Sequence, residues 1–158
     1  MRVKEIMTKS PVYCSGDTNL AAAAEIMWNR NCGFLPVVGP EQKVIGVITD
    51  RDMTIAMATR NRLPGEIPVR EVCSGVAYSC RADDDIRTAL AAMAAKKVRR
   101  LPVVDAAGKL TGILSSDDIV LRSDSRADGA LSPQEIIRDL REVYRSQIDQ
   151  AQKRAANA

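Results

Sequence analysis

The sequence predicts an α/β fold of the α+β kind: two β-α-β-β-α repeats packed with pseudo-twofold symmetry, followed by a C-terminal amphipathic helix. Three observations predict it. Positions 3–56 align with positions 69–122 without a gap, giving 13 identities over 54 pairs. Within each copy an Ala-rich stretch of helical periodicity precedes two short β-branched runs. Beyond the second copy, apolar residues recur three and four apart from Ile137 onward.

The register of the repeat is set by Val3, Lys4, Glu5, Ile6 and Met7, which fall on Val69, Arg70, Glu71, Val72 and Cys73. Leu35, Pro36, Val37 and Val38 fall on their identical counterparts at 101–104, Gly46 on Gly112 and Asp52 on Asp118. A 66-residue period exceeds that of the common solenoid repeats and predicts two units packed together. In each copy a short extended piece (12–14, 78–80) leads to an acidic helix start at Asp17 or Asp83. Leu20, Ala24 and Met27 in the first helix, and Ile86, Leu90 and Met93 in the second, are spaced to form a buried stripe.

Two hairpins follow, 35–38 with 44–48 and 101–104 with 110–114, joined by turns at 39–42 and 105–108. Each runs directly into a second helix, near 50–58 and 117–122. A unit of this size buries too little apolar surface to stand comfortably alone, so pairing within the chain is expected. Pro64, Gly65 and Pro68 mark 60–68 as a linker, and 123–131 as a second one. The expected domains are 1–62, 63–125 and 126–158.

Composition narrows the function classes. Apolar residues make up 46% of the chain with a single Phe and a single Trp, so the core is aliphatic. A net charge of +3 is too small to imply nucleic-acid binding. There is no His, which removes the commonest general base, and Cys14, Cys32, Cys73 and Cys80 have no metal-ligand spacing. Reduced structural thiols, no metal and no catalytic set are expected. No apolar run reaches membrane-spanning length and the N-terminus lacks a signal core, which predicts a cytoplasmic protein.

The paired Leu-Pro-Val-Val strands, the segments Gly-Val-Ile-Thr-Asp-Arg-Asp (46–52) and Gly-Ile-Leu-Ser-Ser-Asp-Asp (112–118), and the leading Val-Lys-Glu-Ile-Met resemble a tandem cystathionine β-synthase (CBS) domain pair, or Bateman module. The match covers residues 1 to 123. The resemblance implies a regulatory, non-enzymatic module, commonly dimeric, with clefts between its repeats for AMP, ADP, ATP, S-adenosylmethionine, NAD(H) or related ligands. No tightly bound cofactor is expected, only a reversible adenine nucleotide. A homodimer is the expected assembly, with an effector protein as a further partner and with no membrane or nucleic acid.

Thr49-x-x-Asp52 and Ser115-x-x-Asp118 each follow a glycine-led strand and open a helix. A helix capping box explains either one by itself. The same geometry offers N–H groups to phosphate and a carboxylate to ribose hydroxyls. The resemblance assigns Asp52 and Asp118 to ribose and Thr49 and Ser115 to phosphate. Arg99 and Arg100 stand where family members carry phosphate-facing basic residues, whereas the first repeat has Gly33 and Phe34, so unequal clefts are expected. Arg51 is a ligand or surface residue, and its counterpart is Asp117. Val12, Val37, Tyr78 and Val103 are the expected adenine walls, although strand packing alone accounts for such valines.

Ser132, Pro133 and Glu135 combine an N-cap, a proline at the first helical position and a completed capping box. The helix they start carries a stripe at Ile137, Leu140, Tyr144, Ile148 and Ala151, with Arg138–Glu142 and Asp149–Lys153 as outer pairs. The stripe is expected to cover a second subunit first, its own module or an effector next.

Overall fold

The computed structural model describes residues 1–75, 77–122 and 131–156, with side-chain surroundings given up to residue 145. The chain forms two compact units. One, the α4–α6 unit, comprises Met1–Lys9, Tyr78–Val103 and Gly112–Ala158; the other, the α2–α3 unit, comprises Ser10–Ala77 and Val104–Thr111. In chain order the elements are α1 (Val3–Ile6), β1 (Thr8–Lys9), β2 (Cys14–Ser15), α2 (Leu20–Asn29), β3 (Phe34–Val38), β4 (Val44–Thr49) and α3 (Asp50–Thr59). The second copy supplies β5 (Cys80–Arg81), α4 (Ile86–Lys96), β6 (Arg100–Val104), β7 (Leu110–Ser115) and α5 (Ser116–Leu121), and α6 (Pro133–Ala156) ends the chain.

Strands order as β2-β3-β4 in one sheet and β1-β7-β6-β5 in the other. The short β2 runs parallel to β3, and β4 returns antiparallel to it with Val37 opposite Gly46 and a bulge after Val37. This is the β-α-β-β-α order, each sheet backed by helices from the same unit. β3 is buried along its whole length, as its unbroken apolar run requires.

The leading segments are exchanged between the repeats. Residues before Ser10 belong with the second copy, where Thr8 pairs with Ile113 and Lys9 with Gly112. Their counterparts after Pro68 stay with the first copy, where the Ser74 N–H donates to the Val47 carbonyl at 3.0 Å. Two charge pairs repeat the exchange: Lys4 Nζ lies 2.6 Å from Asp83, and Arg70 pairs with Asp17. Glycine permits both approaches. A Cβ on Gly112 would stand 2.7 Å from Met7 Sδ and 2.9 Å from the Thr8 carbonyl, and one on Gly46 would run into the Ser74 carbonyl oxygen.

Each unit has its own aliphatic core. Leu20, Ala23, Met27, Leu35, Ile48 and Met53 gather with Ile67 and Val69 in one. Ile86, Leu90, Met93, Leu101, Leu114 and Ile119 gather with Val3 and Ile6 in the other. The expected linker 60–68 therefore ends inside a core, because Ile67 is apolar and its carbonyl accepts the Leu20 N–H. Ala23, not Ala24, completes the α2 stripe; Ala24 is exposed.

The helix starts also move. Asn19 caps α2 by accepting the Ala22 N–H at 2.9 Å, and Asp85 caps α4 by accepting the Arg87 N–H. Asp17 and Asp83 are released to pair with the exchanged segments. Cys14 and Cys80 occupy equivalent buried strand positions, and all four cysteines are free. Burial, with a smaller push from Cys73, raises the Cys14 thiol to about 11; burial, aided by Asp84, raises Cys80 to about 12. Both stay protonated and pack as small apolar groups.

α6 packs on α4 and α5 of its own unit, through Ile136 and Val143 with Leu140 partly buried beside them. The expected stripe was one position off at two places, since Ile137 and Tyr144 face outward. Ile136/Leu140/Val143 and Ile137/Leu140/Tyr144 fit helical periodicity equally well, and the compact aliphatic set suits the alanine-rich α4 while the phenol keeps its hydroxyl in water. The Ser132–Glu135 box forms as expected. Arg138 pairs with Asp139 and Glu142 with Arg145, in place of the expected Arg138–Glu142 pair. Ile148, Ala151, Asp149 and Lys153 lie outside the described side chains.

Candidate functional site

Each unit presents one strand-to-helix corner of the same construction. In the α2–α3 unit Asp52 Oδ2 accepts the Thr49 N–H at 3.0 Å and the Thr49 hydroxyl at 2.7 Å, while Thr49 Oγ1 accepts the Asp52 N–H at 3.2 Å. In the α4–α6 unit Asp118 Oδ2 accepts the Ser115 N–H at 2.8 Å and the Ser115 hydroxyl at 2.7 Å, while Ser115 Oγ accepts the Asp118 N–H at 3.0 Å. One carboxylate oxygen is thus saturated in both corners. The other, Oδ1, has no hydrogen-bond partner among the described residues and is the oxygen free to accept a hydroxyl.

The same bonds limit what Thr49 and Ser115 can do. Each hydroxyl has one proton, and it is spent on the aspartate. As arranged, neither can donate to phosphate, so the phosphate role drawn from the resemblance requires the hydroxyl to turn away from its cap. The first helical N–H groups are also engaged: the Asp50 N–H reaches the Gly33 carbonyl at 3.3 Å and the Ser116 N–H the Arg99 carbonyl at 2.8 Å.

Those two bonds tie Gly33 and Arg99 to their corners and show why the copies differ. A Cβ on Gly33 would lie 2.6 Å from Asp50 Oδ2, whereas the second copy has Ser116 in place of Asp50 and carries Arg99 in place of Gly33. The second corner therefore holds an exposed guanidinium, that of Arg99, with no partner among the described residues. Arg100 is half-buried at the start of β6.

A cavity of about 200 Å³ opens beside Asp52, lined by Ile55, Ala56, Thr59, Arg60 and Val72 as well. Sequence reasoning passed over Thr59 and Arg60, because the helix was expected to end near 58 and Arg60 to open a linker, whereas α3 runs to Thr59. The Arg60 guanidinium is held 2.9 Å from Glu71, which also receives Arg62, so the two cations share one carboxylate. The counterparts of Thr59 and Arg60, Ser125 and Arg126, lie outside the described residues. Arg51 does not line this cavity; it is exposed and one step around α3 from Asp52.

The expected adenine walls separate into two kinds. Val37 and Val103 are 0% exposed within the cores of their units, so no side-chain surface is left for a ligand. Val12 is half-buried against its core, and Tyr78 is 42% exposed with Lys96 Nζ 5.0 Å from its ring centre. Cation–π attraction thus already occupies one face of Tyr78.

A repeated unit with this strand-to-helix corner defines a class, and comparison supplies the family. The family model for the CBS domain matches residues 3–59 and again residues 68–124, and the chain belongs to that family as a tandem pair. YhcV, a CBS domain-containing protein of Bacillus subtilis, is 35% identical over 133 residues, 82% of this chain and 92% of that protein. MK0525 of Methanopyrus kandleri, an uncharacterized protein, is 31% identical over 118 residues, 75% of this chain. The chain spans 60% of MK0525 and less than a quarter of longer relatives named as enzymes. Among solved structures, the CBS domain pair of protein MJ0100 in complex with 5′-methylthioadenosine and S-adenosyl-L-methionine has a TM-score of 0.70 at 26% identity, covering 77% of this chain and 94% of that one. CBS pairs are ligand-sensing regulatory modules. No helix among the described residues is long and apolar enough to cross a membrane.

Proposed function

We propose that the protein senses an adenine nucleotide, AMP, ADP or ATP, at its aspartate corners and reports occupancy through the geometry of a homodimer or an effector complex. The observation that carries this reading is the division of labour inside each aspartate. Asp52 and Asp118 cap their helices with Oδ2 alone and keep Oδ1 for a ribose hydroxyl. Both copies leave Oδ1 without a hydrogen-bond partner among the described residues, so each corner offers the same acceptor. Arg99 adds an uncompensated positive charge beside the second corner, which suits a phosphate-bearing ligand.

Ligand binding shifts populations only where the ligand touches one state better than another. The corners meet that requirement, since a hydroxyl on Oδ1 and a phosphate near Arg99 bear on the strand-to-helix junctions themselves. A second reading has its own support: the MJ0100 pair holds two adenosine derivatives without phosphate. S-adenosylmethionine or methylthioadenosine would use the same ribose contact and leave Arg99 aside.

Titration calorimetry with AMP, ATP and S-adenosylmethionine tests both. The nucleotide reading expects saturable AMP or ATP binding, weakened tenfold or more by Asp118→Ala, about 1.4 kcal/mol or above, and several-fold by Arg99→Ala, about 1 kcal/mol. Tight S-adenosylmethionine binding indifferent to Arg99→Ala would favour the second reading. No heat with any of the three, at millimolar ligand, would overturn both.

A further inference from the structure

The two helix pairs left by the duplication do not have the same fate. α4 and α5 lie under α6, with Leu90 fully buried. In the α2–α3 unit Ala24 holds the position of Leu90, and a groove of about 460 Å³ runs between α2 and α3. Four sulfur-bearing residues line it: Met27 from α2, Met53 and Met57 from α3, and Cys32 from the turn after α2. Three of the chain's six methionines thus meet at one place. Trp28, the single tryptophan, lines the same groove and is 86% exposed, and Asp50 lines it as well.

Local structure brings the sulfurs together. Met53 and Met57 stand four apart and share a face of α3. The Cys32 N–H donates to the Met27 carbonyl at 2.9 Å, which folds the thiol-bearing residue back onto the last turn of α2. Met27 and Met53 are buried, Cys32 is half-buried, and Met57 is exposed, so the set runs from the core to water. Packing explains only part of it. In the second copy the counterparts of Met27, Cys32 and Met53 are Met93, Val98 and Ile119. Hydrocarbon serves at two of the three positions where the helices are covered, and sulfur takes its place where a groove is open.

We infer that this groove is a binding site for a soft monovalent metal ion, copper(I), held by the Cys32 thiolate and the thioethers of Met27, Met53 and Met57. Thiolate and thioether sulfur select copper(I) over harder ions. On binding, the Cys32 S–H bond breaks, a copper–sulfur bond forms and the proton leaves to water, with no change of oxidation state. One thiolate and three neutral thioethers around one positive charge give a neutral complex, which an apolar groove accepts without the cost of burying an ion. Zinc(II) on the same ligands would leave a net positive charge, and its ordinary ligands are thiolate, imidazole and carboxylate, not thioether.

Neither Thr49 nor Asp52 lines the groove, so the inference stands whichever ligand the corners take. Anaerobic titration of the full chain with copper(I), in competition with a chromophoric copper(I) chelator and with Trp28 emission followed in parallel, tests it. The expected result is one copper(I) per chain, an emission change complete at one equivalent, and no such change with zinc(II). Met53→Leu and Met57→Leu, which conserve volume, should each weaken binding roughly tenfold, and Cys32→Ser roughly a hundredfold. Cys73→Ser, outside the groove, should leave the affinity unchanged. Failure of the chain to take copper(I) from the chelator overturns the inference. So does binding that ignores both methionine variants, since a thiol alone would then hold the ion, and so does binding that leaves Trp28 emission unchanged, since the ion would then sit elsewhere.

Discussion

The covered pair α4/α5 and the open pair α2/α3 descend from one segment, and the residues that differ between them follow from the cover. Position by position, Leu90 stands for Ala24, Ala94 for Trp28 and Ser116 for Asp50. Under α6 the large aliphatic is buried at 90, a small residue at 94 permits close approach of the helices, and the helix start is a serine with 2% exposure. On the open side the groove is empty at 24, filled outward at 28 and charged at 50. The shared pattern sets the fold of each unit, and the unshared positions set what each unit meets.

The strongest way to break this comparison is to remove the cover. Val143, on the face of α6 turned toward its own unit, is wholly buried, and Val143→Asp should cost about 4 kcal/mol, since a carboxylate there is placed in an aliphatic core. Urea unfolding followed by Trp28 fluorescence and by circular dichroism distinguishes the units, because Trp28 belongs to the α2–α3 unit. The dichroism transition should move to lower urea ahead of the fluorescence transition. Coincident shifts would mean that the two units unfold as one.

Next in size are the glycines at the exchanged segments. Gly46→Ala drives a methyl into the Ser74 carbonyl, backbone that cannot step aside, and should cost about 3 kcal/mol. Gly112→Ala meets first the flexible Met7 tip and should cost about 1 kcal/mol. Equal losses in thermal unfolding would show that the Thr8 carbonyl, 2.9 Å away, decides the second case too.

How far the sequence foretold this depends on what a pattern can carry. Duplication exposed the repeats, their strands and both corners, because each identity in one copy has a witness in the other. The exchange of leading segments was not legible, since alignment says that Val3 and Val69 are alike but not whose core each joins. Caps at Asn19 and Asp85 were missed because Asp17 and Asp83, equally good cap residues, lie two positions earlier and are claimed by Arg70 and Lys4. Burial of Val37 and Val103 was foreseeable from strand composition, and the Arg60 cavity was not, because it forms from α3 and Arg60 together with Val72, twelve positions beyond Arg60.

Smaller again are the caps. Thr49→Ala and Ser115→Ala each remove a hydroxyl that accepts one helix N–H and donates to the aspartate, so each should cost about 1 kcal/mol. Freed from the hydroxyl, the aspartate keeps Oδ1 for ligand, so binding should fall less than in the aspartate variants. A larger binding loss than Asp118→Ala produces would give the hydroxyl the direct contact that its hydrogen bonding here denies it.

The gentlest test concerns the charge that fastens the cover. The Ser132 backbone N–H, then the Ser132 hydroxyl, then Arg87 hold the Glu135 carboxyl down to about 2. A carboxylate depressed by folding stabilises fully above its unfolded value near 4.5, and that contribution is lost as pH falls from there to about 2. Both partners of the Arg87–Glu135 pair are open to solvent at 46% and 35%, so the effect is screened and small. Glu135→Gln should lower the melting temperature slightly at pH 6, and the gap from wild type should narrow as pH falls below about 4.5 and close only below about pH 2. A gap independent of pH would assign the loss to the capping hydrogen bonds and not to charge, leaving the apolar stripe alone to hold α6 over α4.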